Sequence, residues 1–147
     1  MRNLSKAAKL VRVMNAQAAG VTTVNGALVD TEGYGSVLFI AAFGALTAGQ
    51  VTSLKAQAGS KSDGSDMADL AGTSTGPLAD ANGNGCLQLE VITPQSRYVR
   101  PVVVRGTANA AIDGVFALLF TADKEPVALD PTVIATKCLL APAFGAP

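Results

Sequence analysis

Residues 87–91 read Leu-Gln-Leu-Glu-Val, a strict alternation of apolar and polar side chains. In an extended strand successive side chains point to opposite faces, so Leu and Val share one face while Gln and Glu share the other. The segment therefore predicts a strand that buries one face and exposes the other.

Short apolar runs separated by turn-forming residues extend this pattern to both sides of the segment. The further candidate strands are residues 21–29, 37–43, 51–58, 98–105, 115–120 and 133–140. No long helix is indicated, and each sheet must bury one apolar face against another layer. The sequence therefore predicts an all-β protein, an antiparallel β-sandwich of seven or eight strands.

The length of 147 residues suits a single domain. Residues 59–85 are rich in Gly, Ser, Asp, Asn and Thr, which predicts a long central loop. We divide the chain into a basic N-terminal arm (1–20), a β-sandwich (21–140) and a C-terminal tail (141–147). Both ends are expected to be extended, because the tail consists of Pro and small residues apart from one Phe.

Basic residues are concentrated near the N-terminus, where the first 29 residues hold four cations and no acidic residue. The four cations are Arg2, Lys6, Lys9 and Arg12. We expect them to contact a neighbouring subunit or an acidic patch on a partner. Polar residues interrupt the apolar run that a secretory signal needs, so we expect the arm to be retained. Residues 4–14 fit one helical stripe and residues 10–14 fit a short strand, and the periodicity leaves both open.

The composition narrows the function classes. Eleven basic residues balance eleven acidic ones, which argues against nucleic-acid binding over the whole surface. The chain has no His, and so lacks the commonest general base and the commonest metal ligand. The longest apolar stretch, residues 37–46, is about half of the roughly 20 residues that a membrane helix needs. We therefore expect neither an enzyme nor a membrane protein.

Motifs that could bind a cofactor or a metal are incomplete. Residues 80–85 match the opening of a calcium loop, D-x-N-x-N-G, but its twelfth position is Val91 and not Glu. Residues 59–62 lack the spacing of a phosphate-binding loop. Asp63, Asp66 and Asp69 recur every three residues, but Gly and Ser between them favour a solvated loop. No cofactor and no metal is predicted.

The two cysteines, Cys86 and Cys138, have no spacing that indicates a zinc site. One disulfide between them and two buried free thiols are both compatible with the sequence.

A cluster of cations and an aromatic side chain opens the run at residues 98–105. Alternation places Tyr98 and Arg100 on one face of this strand, with Arg97 and Val99 on the other. Two arginines on opposite faces cannot both lie in the core. We therefore expect at least one to reach a carboxylate of a neighbouring strand or chain, and Arg97, Tyr98 and Arg100 to take part in contacts with partners.

Several segments together resemble a known family. They are residues 18–22 (AAGVT), 30–34 (DTEGY), 37–39 (VLF), 44–47 (GALT), 96–100 (SRYVR), and Pro126. In these segments, which span most of the chain, the sequence resembles the capsid decoration or cement proteins of tailed bacteriophages, whose fold is a jelly-roll-like β-sandwich.

The resemblance implies a non-enzymatic virion protein, assembled in the host cytoplasm and located on the outer surface of an icosahedral head. It further implies that the protein is a homotrimer that binds the major capsid protein and bridges neighbouring capsomers. Two alternatives stay open. One is another head or tail component, and the other is a carbohydrate-binding or host-surface-binding β-sandwich that would use residues 59–85.

Overall fold

A computed structural model describes residues 3–141 and 143–145. Within these residues ten strands form two five-stranded sheets. Sheet A contains β1 (Lys9–Met14), β2 (Gln17–Gly20), β5 (Tyr34–Leu46), β8 (Cys86–Ile92) and β10 (Ala110–Ala122). Sheet B contains β3 (Val24–Asn25), β4 (Val29–Asp30), β6 (Val51–Gly59), β7 (Ala68–Asp69) and β9 (Tyr98–Gly106). A helix, α1 (Leu4–Ala7), precedes β1, and one 3₁₀ turn covers Asp80–Asn82.

The strands pair as the two arms of one long hairpin. The first strands of the chain pair with the last ones, and the middle strands pair with each other. β1 and β2 pair with β10, β3 and β4 with β9, β5 with β8, and β6 with β7, all antiparallel. Pairing of β10 with β5 and of β9 with β6 then rolls this hairpin into two sheets. This is the strand order of a jelly roll. The predicted all-β antiparallel sandwich is confirmed.

The core lies between the two sheets and consists of alternate residues of each strand. From β5, Val37, Phe39 and Phe43 point inward and are fully buried, and Leu54 and Val103 meet them from sheet B. In β8, Leu89 is buried while Gln88 and Glu90 are exposed, as the alternation predicts. The period of two therefore decides which face of each strand builds the core.

The structure corrects the predicted N-terminal arm. Lys9–Met14 and Gln17–Gly20 are strands that pair with β10, so the sandwich begins at Lys9 and not at residue 21. β10 is 13 residues long, and β1 and β2 satisfy its second edge. Of the two readings of residues 10–14, the strand is correct. Arg2 lies outside the described residues.

The C-terminal boundary is corrected as well. The predicted strand at 133–140 is wrong, because the last strand among the described residues ends at Ala122 and the described chain after it is irregular. This segment passes α1 and then the free edge of β1: Val127 N donates to Lys6 O of α1 at 2.8 Å, and Arg12 N of β1 donates to Thr132 Oγ1 at 3.0 Å. Covering the edge in this way shields an unpaired strand without adding a regular one.

The central loop at residues 59–85 is confirmed, with β7 and the 3₁₀ turn as its regular elements in the described chain. Its second half follows β6, where Thr75 and Leu54 exchange backbone hydrogen bonds and Leu78 is buried. Among the described residues, no helix is long and apolar enough to cross a membrane.

Candidate interaction surfaces

The outer face of sheet A is apolar. Leu38, Ile40, Phe116 and Phe120 alternate with buried core residues, so they point away from the core, and each stays half-buried. The pairing of β5 with β10 brings them together, with Ile40 opposite Phe116. We call these four residues the apolar face. A sandwich that stood alone in water would normally carry polar residues at such positions.

Polar side chains border the apolar face on both sides. On β1, the Arg12 guanidinium carbon lies 5.8 Å from the centroid of the Phe116 ring, a cation–π contact. On β8, Gln88 is opposite Ile40 and Glu90 is opposite Leu38, and both are exposed. The apolar face is therefore flanked by polar side chains at Arg12 and along β8.

The outer face of sheet B has the opposite character. Lys55 Nζ lies 2.7 Å from Asp69 Oδ2, and Gln57 Nε2 donates to Asp69 Oδ1 at 2.8 Å. Gln57 Oε1 accepts hydrogen bonds from Arg100 Nε and Nη2 at 2.8 and 2.6 Å. The carboxylate of Asp69 has a lowered pKa because Lys55 and then Gln57 donate to it. One side of the molecule thus offers polar groups that are already paired, and the other offers apolar side chains.

An apolar groove of about 360 Å³ adjoins the apolar face at the edge of β1. Its lining includes Leu4, Ala8, Leu10, Leu118, Leu129 and Val133. Leu118 and Leu10 are opposite each other in the sheet and lie in the row of Leu38. We call this cavity the β1 groove. Residues of α1 and β1 line one side of it, and residues of the C-terminal segment line the other.

Beyond the β1 groove the C-terminal residues expose large apolar side chains. Ile134 is 92% exposed, Leu139 58% and Leu140 86%, and Phe144 is fully exposed. From here on, the name C-terminal tail means the described residues 137–141 and 143–145, which begin four residues earlier than the tail predicted from the sequence. Its described residues hold an unusual amount of uncovered apolar surface for such a short segment.

The N-terminal cations predicted to contact partners have places in sheet A. Lys9 Nζ lies 3.5 Å from Asp130 Oδ2, and Arg12 packs on Phe116. Burial raises the pKa of Asp130, but hydrogen bonds from Thr132 and the nearby Lys9 charge outweigh it, and the net pKa is lowered. Lys6 is exposed, and its carbonyl fixes the C-terminal segment. Lys9 and Arg12 therefore have partners inside the chain.

Arg97 sits in an exposed ion cluster next to sheet B. Its Nε and Nη2 donate to Asp30 at 3.0 and 2.7 Å, and its Nη2 lies 2.6 Å from Glu32 Oε2. The hydrogen bonds between the two side chains lower the pKa of Asp30 and raise that of Arg97. The guanidinium carbon is 5.4 Å from the Tyr98 ring centroid. The prediction that one arginine reaches a carboxylate of a neighbouring strand is confirmed.

Arg100 binds the amide of Gln57 and not a carboxylate. Val99 is fully buried, while Tyr98 and Arg100 are half-buried on the opposite side of the strand, as alternation predicts. Arg97 and Arg100 belong to the sheet B side, whereas Lys9 and Arg12 belong to sheet A. The structure therefore does not join the two predicted groups of cations into one site.

Arg105 is the important residue that the sequence analysis did not single out. It is 8% exposed and donates to the carbonyls of Ala18, Ala110 and Thr22 at 2.9, 2.7 and 2.9 Å. Because it belongs to β9 of sheet B and reaches strands of sheet A, it ties the two sheets together at one end. The sequence did hold a signal for it: in a strand, residues two positions apart share a face, so Arg105 points inward like Val103.

The incomplete motifs have structural explanations. Asp80 Oδ2 accepts from Gly49 N at 2.9 Å, and Asp66 accepts from the backbone of Ser60 and Lys61, so these carboxylates hold turns. Within residues 3–141 and 143–145, no cluster of three or more His, Cys, Asp or Glu could hold a metal ion.

Cys86 and Cys138 are both free, and both are exposed, which corrects the expectation that free thiols would be buried.

No protein-family model matches this sequence, and a search of curated proteins finds no match either.

Proposed function

We propose that this chain is a structural virion protein that binds the outer surface of an icosahedral phage head and stabilises contacts between its capsomers. The partner is the major capsid protein, and the chain acts as a homotrimer without catalysis. The observation that carries the proposal is the difference between the two outer faces of the sandwich. The resemblance of the sequence to decoration proteins supplies the identity of the partner.

A protein held on a larger surface needs one side that adheres and one that faces water. The apolar face of sheet A fits the first requirement, because exposed apolar patches with polar rims are typical of interaction sites. The outer face of sheet B fits the second, because Lys55, Asp69, Gln57 and Arg100 satisfy one another there. The difference in polarity between the two outer faces thus sets which sheet is turned toward the shell and which is turned toward water.

The expected strength of one contact also suits this role. Fully burying a large apolar side chain contributes about 1.5–3 kcal/mol, and the four residues of the apolar face are already half-buried, so covering them contributes on the order of 3–6 kcal/mol. Association of free molecules costs about 4–15 kcal/mol, so a single copy binds weakly. Linked copies on neighbouring capsomers bind together much more strongly.

Adding the protein back to particles that lack it tests the proposal. The gene is deleted from the phage or prophage that carries it, and the purified chain is then bound to the resulting particles. Ile40→Lys places a cation in the middle of the apolar face. Ser53→Lys is the matched control, because Ser53 is half-buried at the equivalent outer position of β6 in sheet B.

We expect Ile40→Lys to bind more than about tenfold more weakly, because it loses apolar burial and must desolvate an ammonium group. Ser53→Lys should bind like the parent. Equal occupancy by both variants and the parent would rule out the apolar face as the docking surface.

A further inference from the structure

We propose that the C-terminal tail of one copy occupies the β1 groove of a second copy, so that the chain assembles with itself head to tail. The occupant is the tail segment that carries Leu139, Leu140 and Phe144. This contact involves the edge of β1 and not the apolar face, so it is independent of binding to a shell.

The β1 groove has the chemistry of a site for an uncharged apolar segment. Leu4, Leu10 and Leu129 form much of its wall, and its volume of about 360 Å³ lies in the range of ligand-binding clefts. The one cation in its lining, Lys9, is paired with Asp130. A charged segment would therefore find no opposite charge in the groove, while residues 138–145 contain no charged side chain at all.

The C-terminal tail begins at the rim of the β1 groove of its own chain. Val133 and Thr136 line the groove, whereas Leu139 and Leu140 are 58% and 86% exposed and do not fold back into it. Each copy thus presents an open groove and, immediately beyond it, a segment of matching chemistry that its own groove does not cover. A second copy supplies what each of these surfaces lacks.

The apolar area that the tail offers is large enough to matter. A Phe side chain alone buries about 150–250 Å². Together with Leu139 and Leu140, Phe144 can supply a substantial part of the roughly 800 Å² per partner that a stable interface buries. The groove and the tail are different surfaces, so the contact between two copies is heterologous. Such contacts form a closed ring when the rotation that relates one copy to the next is a whole fraction of a full turn. The homotrimer of the proposed function is one such ring.

Sedimentation velocity of the purified chain, without particles and over a wide range of concentration, tests this inference. Three variants remove the contact: truncation after Thr136, Leu140→Asp in the tail, and Leu129→Asp in the groove wall. Val21→Asp is the matched control, because Val21 is also an exposed apolar residue but follows β2, which pairs with the opposite end of β10. Far-UV circular dichroism establishes that each variant is folded.

We expect the parent and Val21→Asp to associate alike, and the other three variants to associate more than about tenfold more weakly. A parent chain that stays monomeric throughout would overturn the inference. So would a truncated chain that associates like the parent, or a Leu129→Asp variant that does. None of these results bears on shell binding, which is measured separately through Ile40→Lys.

Discussion

Replacing Arg105 tests whether the two sheets depend on this one buried side chain. The guanidinium makes three hydrogen bonds to backbone carbonyls, those of Ala18, Ala110 and Thr22. Arg105→Met keeps an unbranched apolar stem but removes every donor, so three carbonyls at this end of the sandwich lose the hydrogen bonds that Arg105 donates.

The expected cost follows from these bonds. Each buried polar group left without a partner costs about 1–3 kcal/mol, and water at the rim of the sandwich can satisfy part of this need. We therefore expect Arg105→Met to lower the free energy of unfolding by about 3–5 kcal/mol. Arg105→Lys retains one charged donor group that cannot reach all three carbonyls, and about 2 kcal/mol should be lost.

Urea unfolding followed by far-UV circular dichroism measures these changes, because the chain has no Trp and two Tyr. Protein concentration is held constant, since association would raise the apparent stability. Arg97→Met is the matched control: Arg97 also makes several hydrogen bonds, but at an exposed site where solvent screens them, so its effect should be much smaller. A loss below about 1 kcal/mol for Arg105→Met would refute the reasoning.

Three further predictions concern single residues. The pKa of Asp30 is lowered in the folded chain, so the folded state binds fewer protons there than the unfolded state does. The contribution of Asp30 to stability should therefore be present above the unfolded pKa of about 3.9 and should decline as the pH falls through and below that value. Acid titrations of unfolding should show this decline in the parent and not in Asp30→Asn. Gly26→Ala should destabilise the fold by about 1–3 kcal/mol in urea unfolding, because the added Cβ would lie 2.7 Å from a ring carbon of a buried proline, whereas Gly106→Ala meets open space. With a thiol reagent, Cys86 and Cys138 should both react in dilute native protein, and only Cys138, which lies in the tail, should slow as the protein associates. A thiol that reacts only after unfolding would contradict its exposure.

Alternation made the core of the sandwich predictable. Leu89 is buried between Gln88 and Glu90 as the period of two requires, and the same rule places Val99 inside and Arg100 outside. The rule is reliable here because it depends on backbone geometry and not on distant neighbours.

The two chain ends could not be predicted in the same way. Lys9 and Arg12 led to the prediction of a basic arm that reaches a partner, but at the edge of a sheet their charged ends can lie at the rim while Val13 and Met14 are buried. Residues 133–140 are apolar enough to predict a strand, yet the edge of β1 already bonds to the segment that ends at Thr132. Whether an apolar run becomes a strand depends on a free edge, which the sequence does not show.

The apolar face was partly visible in the sequence. Residues 37–43 and 115–120 are continuous apolar runs, and such runs place apolar side chains on both faces of a strand. What sequence could not show is the register that sets Ile40 opposite Phe116, since that pairing joins residues 76 positions apart. A long-range pairing of this kind gathers scattered residues into one surface.

A reconstruction by electron cryomicroscopy of the particles that carry this protein tests the central claim most directly. We predict density for the jelly roll outside the icosahedral shell, with the outer face of sheet A, including Ile40 and Phe116, turned toward the major capsid protein and sheet B turned toward solvent. Density confined to the tail of the particle, or a jelly roll on the shell with sheet A facing solvent, would contradict it.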